Sequence, residues 1–121
     1  MKNKGKLEQL EKVKLIEALD LDEETAIRFF ARRKDSRNEI DYLEKKSDDL
    51  LFKLENSFQS NEKNQEEKQR QMISEFLKTS ESIESKRNQF ISSLKDILTT
   101  EQISKLIVFE KRFRDEIRNV L

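Results

Sequence analysis

The sequence predicts an all-α protein of four helices, in which a long antiparallel helical hairpin carries a shorter helix at each end. The 121 residues include no proline and a single glycine, so almost nothing interrupts regular structure. Apolar residues recur at helical spacings of three and four along most of the chain. Two leucine-led motifs, beginning at Leu21 and Leu98, have the pattern of helix N-termini. Together these observations predict helices throughout.

The first helix is expected over about residues 6–20. Leu7, Leu10, Val13 and Ile16 recur every three residues, which is typical of a short amphipathic helix. Its apolar face would need another element to cover it.

The second helix is expected over about residues 22–58 and begins at the first cap motif. Leu21 precedes the cap, Asp22 can accept the first free backbone N–H groups, and Thr25 stands where a glutamine would complete a capping box. The apolar stripe that follows has heptad spacing and is apolar at both ends but polar in the middle. Its positions are Ala26, Phe30, Arg33, Arg37, Ile40, Glu44, Ser47, Leu51, Leu54 and Phe58.

The third helix is expected over about residues 62–97. No apolar side chain lies between Phe58 and Met72, and Ser60, Asn61 and Asn64 are plausible N-caps, which predicts a polar turn. A short turn between two helices of similar length predicts that they pack antiparallel. The stripe of this helix comprises Gln69, Ile73, Phe76, Ser80, Ile83, Arg87, Phe90, Leu94 and Ile97.

The fourth helix is expected over about residues 99–120, behind a complete capping box. The Thr99 hydroxyl can accept the Gln102 backbone N–H, while the Gln102 side chain accepts the Thr99 N–H. Leu98 precedes this cap as Leu21 precedes the first. We therefore assign both motifs a structural role.

The length of the central helices predicts an elongated single domain over residues 1–121 that forms a homodimer. A helix of about 36 residues is roughly 54 Å long. A compact domain of this size has a radius of gyration of about 14 Å. The short helices therefore cannot cover the whole apolar stripe, and a second copy of the chain is the simplest surface to do so.

Charge and composition exclude several classes of function. Lysine plus arginine equal aspartate plus glutamate at 25 each, so the excess of positive charge that nucleic-acid binding needs is absent. The longest apolar run is Leu106-Ile107-Val108-Phe109, far short of the roughly 20 residues that span a bilayer, so we expect no membrane insertion. Cysteine is absent, which excludes disulfides and thiol catalysis.

No catalytic motif is present, and we expect no enzyme activity and no cofactor. The chain has no glycine-rich phosphate loop, no serine nucleophile elbow and no zinc motif. Adjacent carboxylates such as Asp48 and Asp49 point about 100° apart on a helix and lie in charge-rich segments.

The two cap motifs resemble those of the Spy/CpxP family, also called the LTxxQ family, over about residues 15–117. Leu98-Thr99-Thr100-Glu101-Gln102 with the following Phe109-Glu110-Lys111-Arg112-Phe113 is similar to that family's second motif. The first motif departs from the pattern, with Asp22 for threonine and Thr25 for glutamine. The resemblance implies a thin, intertwined helical homodimer of the bacterial periplasm. Its members act as ATP-independent chaperones, inhibitors of stress-sensing kinases, or metal sensors.

The metal-sensing role fits the residues least. Histidine and cysteine are absent, and methionine occurs only at Met1 and Met72. We therefore expect no metal site, although sites made of carboxylates alone stay open.

A cationic stretch at the start of the second helix is the candidate surface for binding unfolded clients. It combines long-range attraction with apolar contact, and its members are Arg28, Phe29, Arg32, Arg33 and Arg37. In the alternative interpretation the arginines pair with nearby acids and pack along the surface. Phe29 and Phe109 lie off the predicted stripe and are expected to be exposed. The phenylalanines at 30, 58, 76, 90 and 113 are expected to form core or dimer contacts.

The function predicted from the sequence is that of a non-catalytic envelope-stress protein with ATP-independent, chaperone-like activity on unfolded clients. One alternative is a regulatory adaptor that docks on a sensor kinase or an anti-sigma partner. A second is a cytosolic coiled-coil scaffold. The expected location is the periplasm, with an export segment removed, or the cytoplasm if Met1 is the true start.

Overall fold

The computed structural model describes residues 2–59 and 63–120, and this part of the chain is all-helical. The α-helices are α1 (Lys2–Leu19), α2 (Glu23–Ser57), α3 (Gln65–Ser92) and α4 (Thr100–Val120), and a 3-10 helix covers Ser93–Asp96. No strand occurs in the described ranges. The predicted all-helical class and the number of α-helices are confirmed for the described residues.

The helix ends differ from the predicted ones mainly at α1 and α3. Helix α1 begins at Lys2, earlier than about residue 6, and α3 begins at Gln65, while residues 60–62 of the predicted turn lie outside the described residues. Helix α3 was expected to run to about residue 97 but ends at Ser92. The tighter 3-10 helix follows it, and the backbone N–H of Ile97 bonds to the carbonyl oxygen of Leu94, three residues earlier.

Contacts divide the described chain into two compact units. The terminal unit comprises the described residues up to Arg32 and those from Ile91 onward, and the central unit comprises Arg33–Phe90. The terminal unit thus holds α1, the first turns of α2, the 3-10 helix and α4.

Leucine side chains form most of the core of the terminal unit. Leu15, Leu94 and Leu106 are fully buried. Leu21 and Leu98, the leading residues of the two cap motifs, are buried with them. Each cap motif therefore anchors its turn in the core through the leucine that precedes it.

Phe29 also belongs to this core, so the prediction that it is exposed was wrong. Its exposed fraction is 0%, and its ring lies edge-on to that of Phe30 at a centroid distance of 5.0 Å. Phe30 is only half-buried, with Lys12 Nζ 5.1 Å from its ring centroid. The heptad register placed Phe30 on the stripe, but at the start of α2 the buried face is centred one residue earlier.

The central unit has a thin core that is partly polar. Ile40, Leu50, Ile83 and Phe90 are buried. Ser57 and Thr79 are buried as well, and each hydroxyl donates to a carbonyl oxygen in the preceding turn of its own helix.

Side chains on α2 and α3 contact each other along the central unit. Glu44 pairs with Arg87 at 2.9 Å, which joins two polar positions of the predicted stripes. Glu39 pairs with Lys86 at 2.9 Å, and Gln69 Nε2 donates to the Ser57 hydroxyl at 2.9 Å. Within the polar middle of the two stripes, Glu44 and Arg87 are thus partners of each other.

Candidate functional site

The capping box at the start of α4 is present in full. The Thr99 hydroxyl accepts the Gln102 backbone N–H at 3.1 Å, and Gln102 Oε1 accepts the Thr99 backbone N–H at 2.9 Å. Two donors at the helix N-terminus are thereby satisfied.

The turn between α1 and α2 combines a C-cap with an N-cap. The N–H groups of Asp20 and Leu21 bond to the carbonyl oxygens of Glu17 and Ile16, which is a Schellman motif. Asp20 takes the left-handed conformation that this motif requires, with φ of 51°. Asp22 Oδ1 then accepts the Thr25 backbone N–H at 2.8 Å, which lowers the pKa of the Asp22 carboxyl.

One side chain joins the two cap turns. Gln102 Nε2 donates to the Leu19 carbonyl oxygen at 3.1 Å, so the amide that completes the capping box of α4 also satisfies the C-terminus of α1. Sequence reasoning missed this contact. The signal was the glutamine itself, because a glutamate could accept from Thr99 but could not donate to Leu19 when ionised.

Arg32, one of the five candidate residues of the cationic stretch, binds residues of the terminal unit. Arg32 donates to both carboxylate oxygens of Asp96, at 2.6 and 3.0 Å, and to the Ser93 carbonyl oxygen at 2.7 Å. These bonds hold the pKa of Asp96 down at about 2 and raise that of Arg32. Arg32 thus links α2 to the 3-10 helix. Since Phe29 is buried, two of the five candidate residues stabilise the fold.

The other three arginines are divided between the units. Arg28, in the terminal unit, is exposed and adds a weaker attraction to Asp96. Arg37, in the central unit, is exposed, whereas Arg33 is half-buried there. Arg28 and Arg37 are the members that present charge most openly.

The central unit exposes large apolar side chains that the sequence placed on buried stripes or beside them. Phe58, expected in a core or dimer contact, is 73% exposed, and Leu77 is 57% exposed. Leu51 and Ile73 are each about half exposed. We call Leu51, Phe58, Ile73 and Leu77 the apolar row.

A cleft of about 640 Å³ opens along α4 beside α1 in the terminal unit. Its apolar lining comes from Ala18 on α1 and from Val108, Phe109 and Phe113 on α4. Phe109 stacks on Phe113 with centroids 5.5 Å apart and is only half-buried, although we expected it to be exposed. The charged lining comprises Lys14, Glu101, Lys105, Arg112 and Glu116.

No three acidic side chains converge as metal ligands among the residues that the structure describes. None of the helices formed by those residues has an apolar stretch long enough to cross a bilayer.

Comparison with known proteins gives no relative for this chain: no family model, no curated protein and no solved structure matches it.

Proposed function

We propose that this chain is a non-catalytic protein that binds unfolded proteins without ATP, in the manner of the Spy/CpxP chaperones of the bacterial periplasm. The observation that carries the proposal is the apolar row, four large apolar side chains exposed on α2, on the turn directly after it and on α3. Contiguous apolar surface on a soluble protein usually marks an interaction site.

An antiparallel pairing of α2 with α3 would bring the row together. The contacts of Glu39 with Lys86 and of Ser57 with Gln69 run in opposite order along the two helices, as such a hairpin requires. In that arrangement Leu51 lies level with Ile73 and Leu77 near one end of the central unit. Helical phase puts Ile73 and Leu77, which are four residues apart, on the same face of α3.

The apolar surface that the row offers is small enough for weak, reversible binding. Burying a large apolar side chain completely is worth about 1.5–3 kcal/mol, so four half-exposed ones offer a total of roughly 4 kcal/mol. Association itself costs about 4–15 kcal/mol. Apolar contact alone therefore gives weak, reversible binding, and cations elsewhere on the central unit such as Arg37 add long-range attraction to acidic clients.

A homodimer is part of the proposal. A second copy could cover the exposed apolar side chains that lie outside the row, among them Tyr42 and Phe52. This arrangement leaves the row itself available to clients.

The test is the aggregation of an unfolding reporter enzyme, followed by light scattering without ATP. A molar excess of the wild-type protein is expected to delay aggregation, and Ile73→Ser with Leu77→Ser is expected to abolish most of the delay. Ile27→Ser provides the control, since Ile27 is more exposed than either residue but lies in the terminal unit. No delay with the wild type, or an equal loss with the control, would contradict the proposal.

A second variant tests the contribution of positive charge to client binding. Arg33→Glu with Arg37→Glu is expected to weaken the delay most at low ionic strength, because screening removes long-range attraction as salt rises. An effect that is unchanged by salt would assign these two arginines to the fold instead.

A regulatory adaptor is the second candidate, and the cleft beside α4 is the observation that favours it. An adaptor would capture one partner in a saturable manner, whereas a chaperone captures many proteins weakly. Titration of a lysate against immobilised protein separates the two.

A further inference from the structure

The α4 side of the cleft carries charges in a symmetric order. Glu101, Lys105, Arg112 and Glu116 all line it, with Val108 and Phe109 at the centre. Lys105 and Arg112 lie three residues outside this apolar pair, and Glu101 and Glu116 lie seven residues outside it. The order is therefore acid, base, apolar pair, base, acid in either chain direction.

The shape of the cleft suits a helix that lies along it. The lining of α4 from Glu101 to Glu116 extends for about 22 Å, or roughly four helical turns. The centre is open, since Val108 is 50% exposed, while Ala18 on the α1 side leaves room for a neighbour. A small molecule would be only partly enclosed there, whereas an amphipathic helix can fill an open groove with one face.

The centre of the cleft is positive. Lys105 pairs with Glu101 at 3.6 Å. Lys14 and Arg112 form no ion pair with any residue that the structure describes, and both line the same cleft. Two cations thus remain available beside the apolar centre, and they favour acidic groups on an occupant.

The same order of charges opposes filling by a second copy of α4. A two-fold antiparallel pairing centred on Val108 and Phe109 would place Lys105 opposite Arg112 and Glu101 opposite Glu116. A parallel, in-register pairing would also place like charges together. Because like charges across an interface are destabilising, both pairings disfavour a second copy of α4 as the occupant.

We propose that this cleft is a docking site for an amphipathic helix of another protein, with acidic residues beside its apolar centre and basic residues further out. On that helix the acids lie about three residues outside an apolar pair, and the bases lie about seven residues outside it. The site belongs to the terminal unit and the apolar row to the central unit, so it does not depend on the proposed chaperone function; it gives the partner chemistry of the adaptor alternative.

The test uses two designed peptides of eighteen residues with identical composition. Each is alanine-based, with leucines at the two central positions and four residues outside them. The first carries glutamates three residues outside the centre and lysines seven residues outside it. The second has the glutamates and lysines exchanged. Binding of each labelled peptide to the full chain is measured by fluorescence anisotropy.

The first peptide is expected to bind at least about tenfold more tightly than the second, a difference of about 1.4 kcal/mol. Lys105→Glu with Arg112→Glu is expected to reverse that preference. Arg114→Glu with Arg118→Glu is the matched control, because it makes the same change of charge on α4 outside the cleft lining and should preserve the preference.

Several results would overturn the proposal. These are failure of both peptides to bind, equal binding of the two, or an unchanged preference after Lys105→Glu with Arg112→Glu. Self-association of the wild type that this double variant abolishes would show instead that a second copy occupies the cleft. Circular dichroism of each variant confirms that the helices are retained.

Discussion

Gln102 satisfies two helix ends with one amide group. Its oxygen accepts the Thr99 N–H, and its nitrogen donates to the Leu19 carbonyl oxygen. Replacing Gln102 with glutamate keeps the first bond but removes the second, and it places a negative charge beside a carbonyl oxygen.

Gln102→Glu is accordingly expected to lower the free energy of unfolding by about 1 kcal/mol at neutral pH. The loss should shrink below pH of about 4.3, where a protonated glutamic acid can donate again. Urea denaturation at several pH values measures it. The exposed Gln71→Glu serves as the control, and an equal effect there would show that the Leu19 bond contributes nothing.

Asp96 gives the stability a second dependence on pH. The hydrogen bonds from Arg32 lower its pKa from 3.8 to about 2 in the folded protein. The stabilisation of the folded protein by the ionised Asp96 carboxylate is therefore complete above pH 3.8 and is lost as the pH falls through about 2.

Asp96→Asn should make the protein less stable than the wild type at neutral pH, and the difference should vanish towards pH of about 2. Urea denaturation between neutral and acidic pH provides the measurement. Asp48→Asn is the control, because it removes an exposed carboxylate that forms no ion pair with the described residues. A difference in stability between wild type and Asp96→Asn that persists at the lowest pH would contradict the assignment of this pH dependence to Asp96.

At this scale, the local hydrogen bonds could be predicted and the distant ones could not. The cap bonds of Asp22, Thr99 and Gln102 join residues three apart, so their spacing is sufficient to predict them. The bonds of Gln102 to Leu19 and of Arg32 to Asp96 join residues that are far apart in the chain. Their partners depend on how the helices pack, which periodicity does not specify.

Among the elements, α2 illustrates both the value and the limit of heptad spacing. The spacing predicted one long helix, and α2 is 35 residues long. It did not predict the centre of the buried face, since Phe29 is buried while Phe58 is exposed. Which face is covered depends on the elements that pack against each part of α2, and none of them enters the register of α2.

These two phenylalanines give a matched pair of variants. Phe29→Ala should lower the free energy of unfolding by about 3–5 kcal/mol, because it leaves a cavity in the core of the terminal unit. Phe58→Ala should change it by less than about 0.5 kcal/mol in the single chain. Urea denaturation followed by circular dichroism compares them, and similar losses for both would contradict the burial described above.

The end of α3 also depended on tertiary contacts. The apolar stripe continued to Ile97, so a helix was expected to about that residue. Arg32 instead binds the carbonyl oxygen of Ser93 and the carboxylate of Asp96, and the segment between them is a 3-10 helix. The apolar stripes thus predicted the existence of the helices more accurately than the residues at which the helices end.

For the whole molecule, composition predicted the helical class and a surface dominated by charge. With 41% charged residues and 34% hydrophobic ones, the chain has too little apolar material for a thick core. The same scarcity makes the exposed apolar row informative, because those side chains are available for contact with other proteins.

Photo-crosslinking tests this central claim most directly. A benzophenone amino acid replaces Phe58 or Leu77 in the apolar row or, as a control, exposed Arg114 on α4, and each protein is mixed with an unfolding reporter. Our account predicts crosslinks to the reporter from positions 58 and 77 and few from position 114. Crosslinks only between copies of this chain, or equal crosslinking from all three positions, would contradict it.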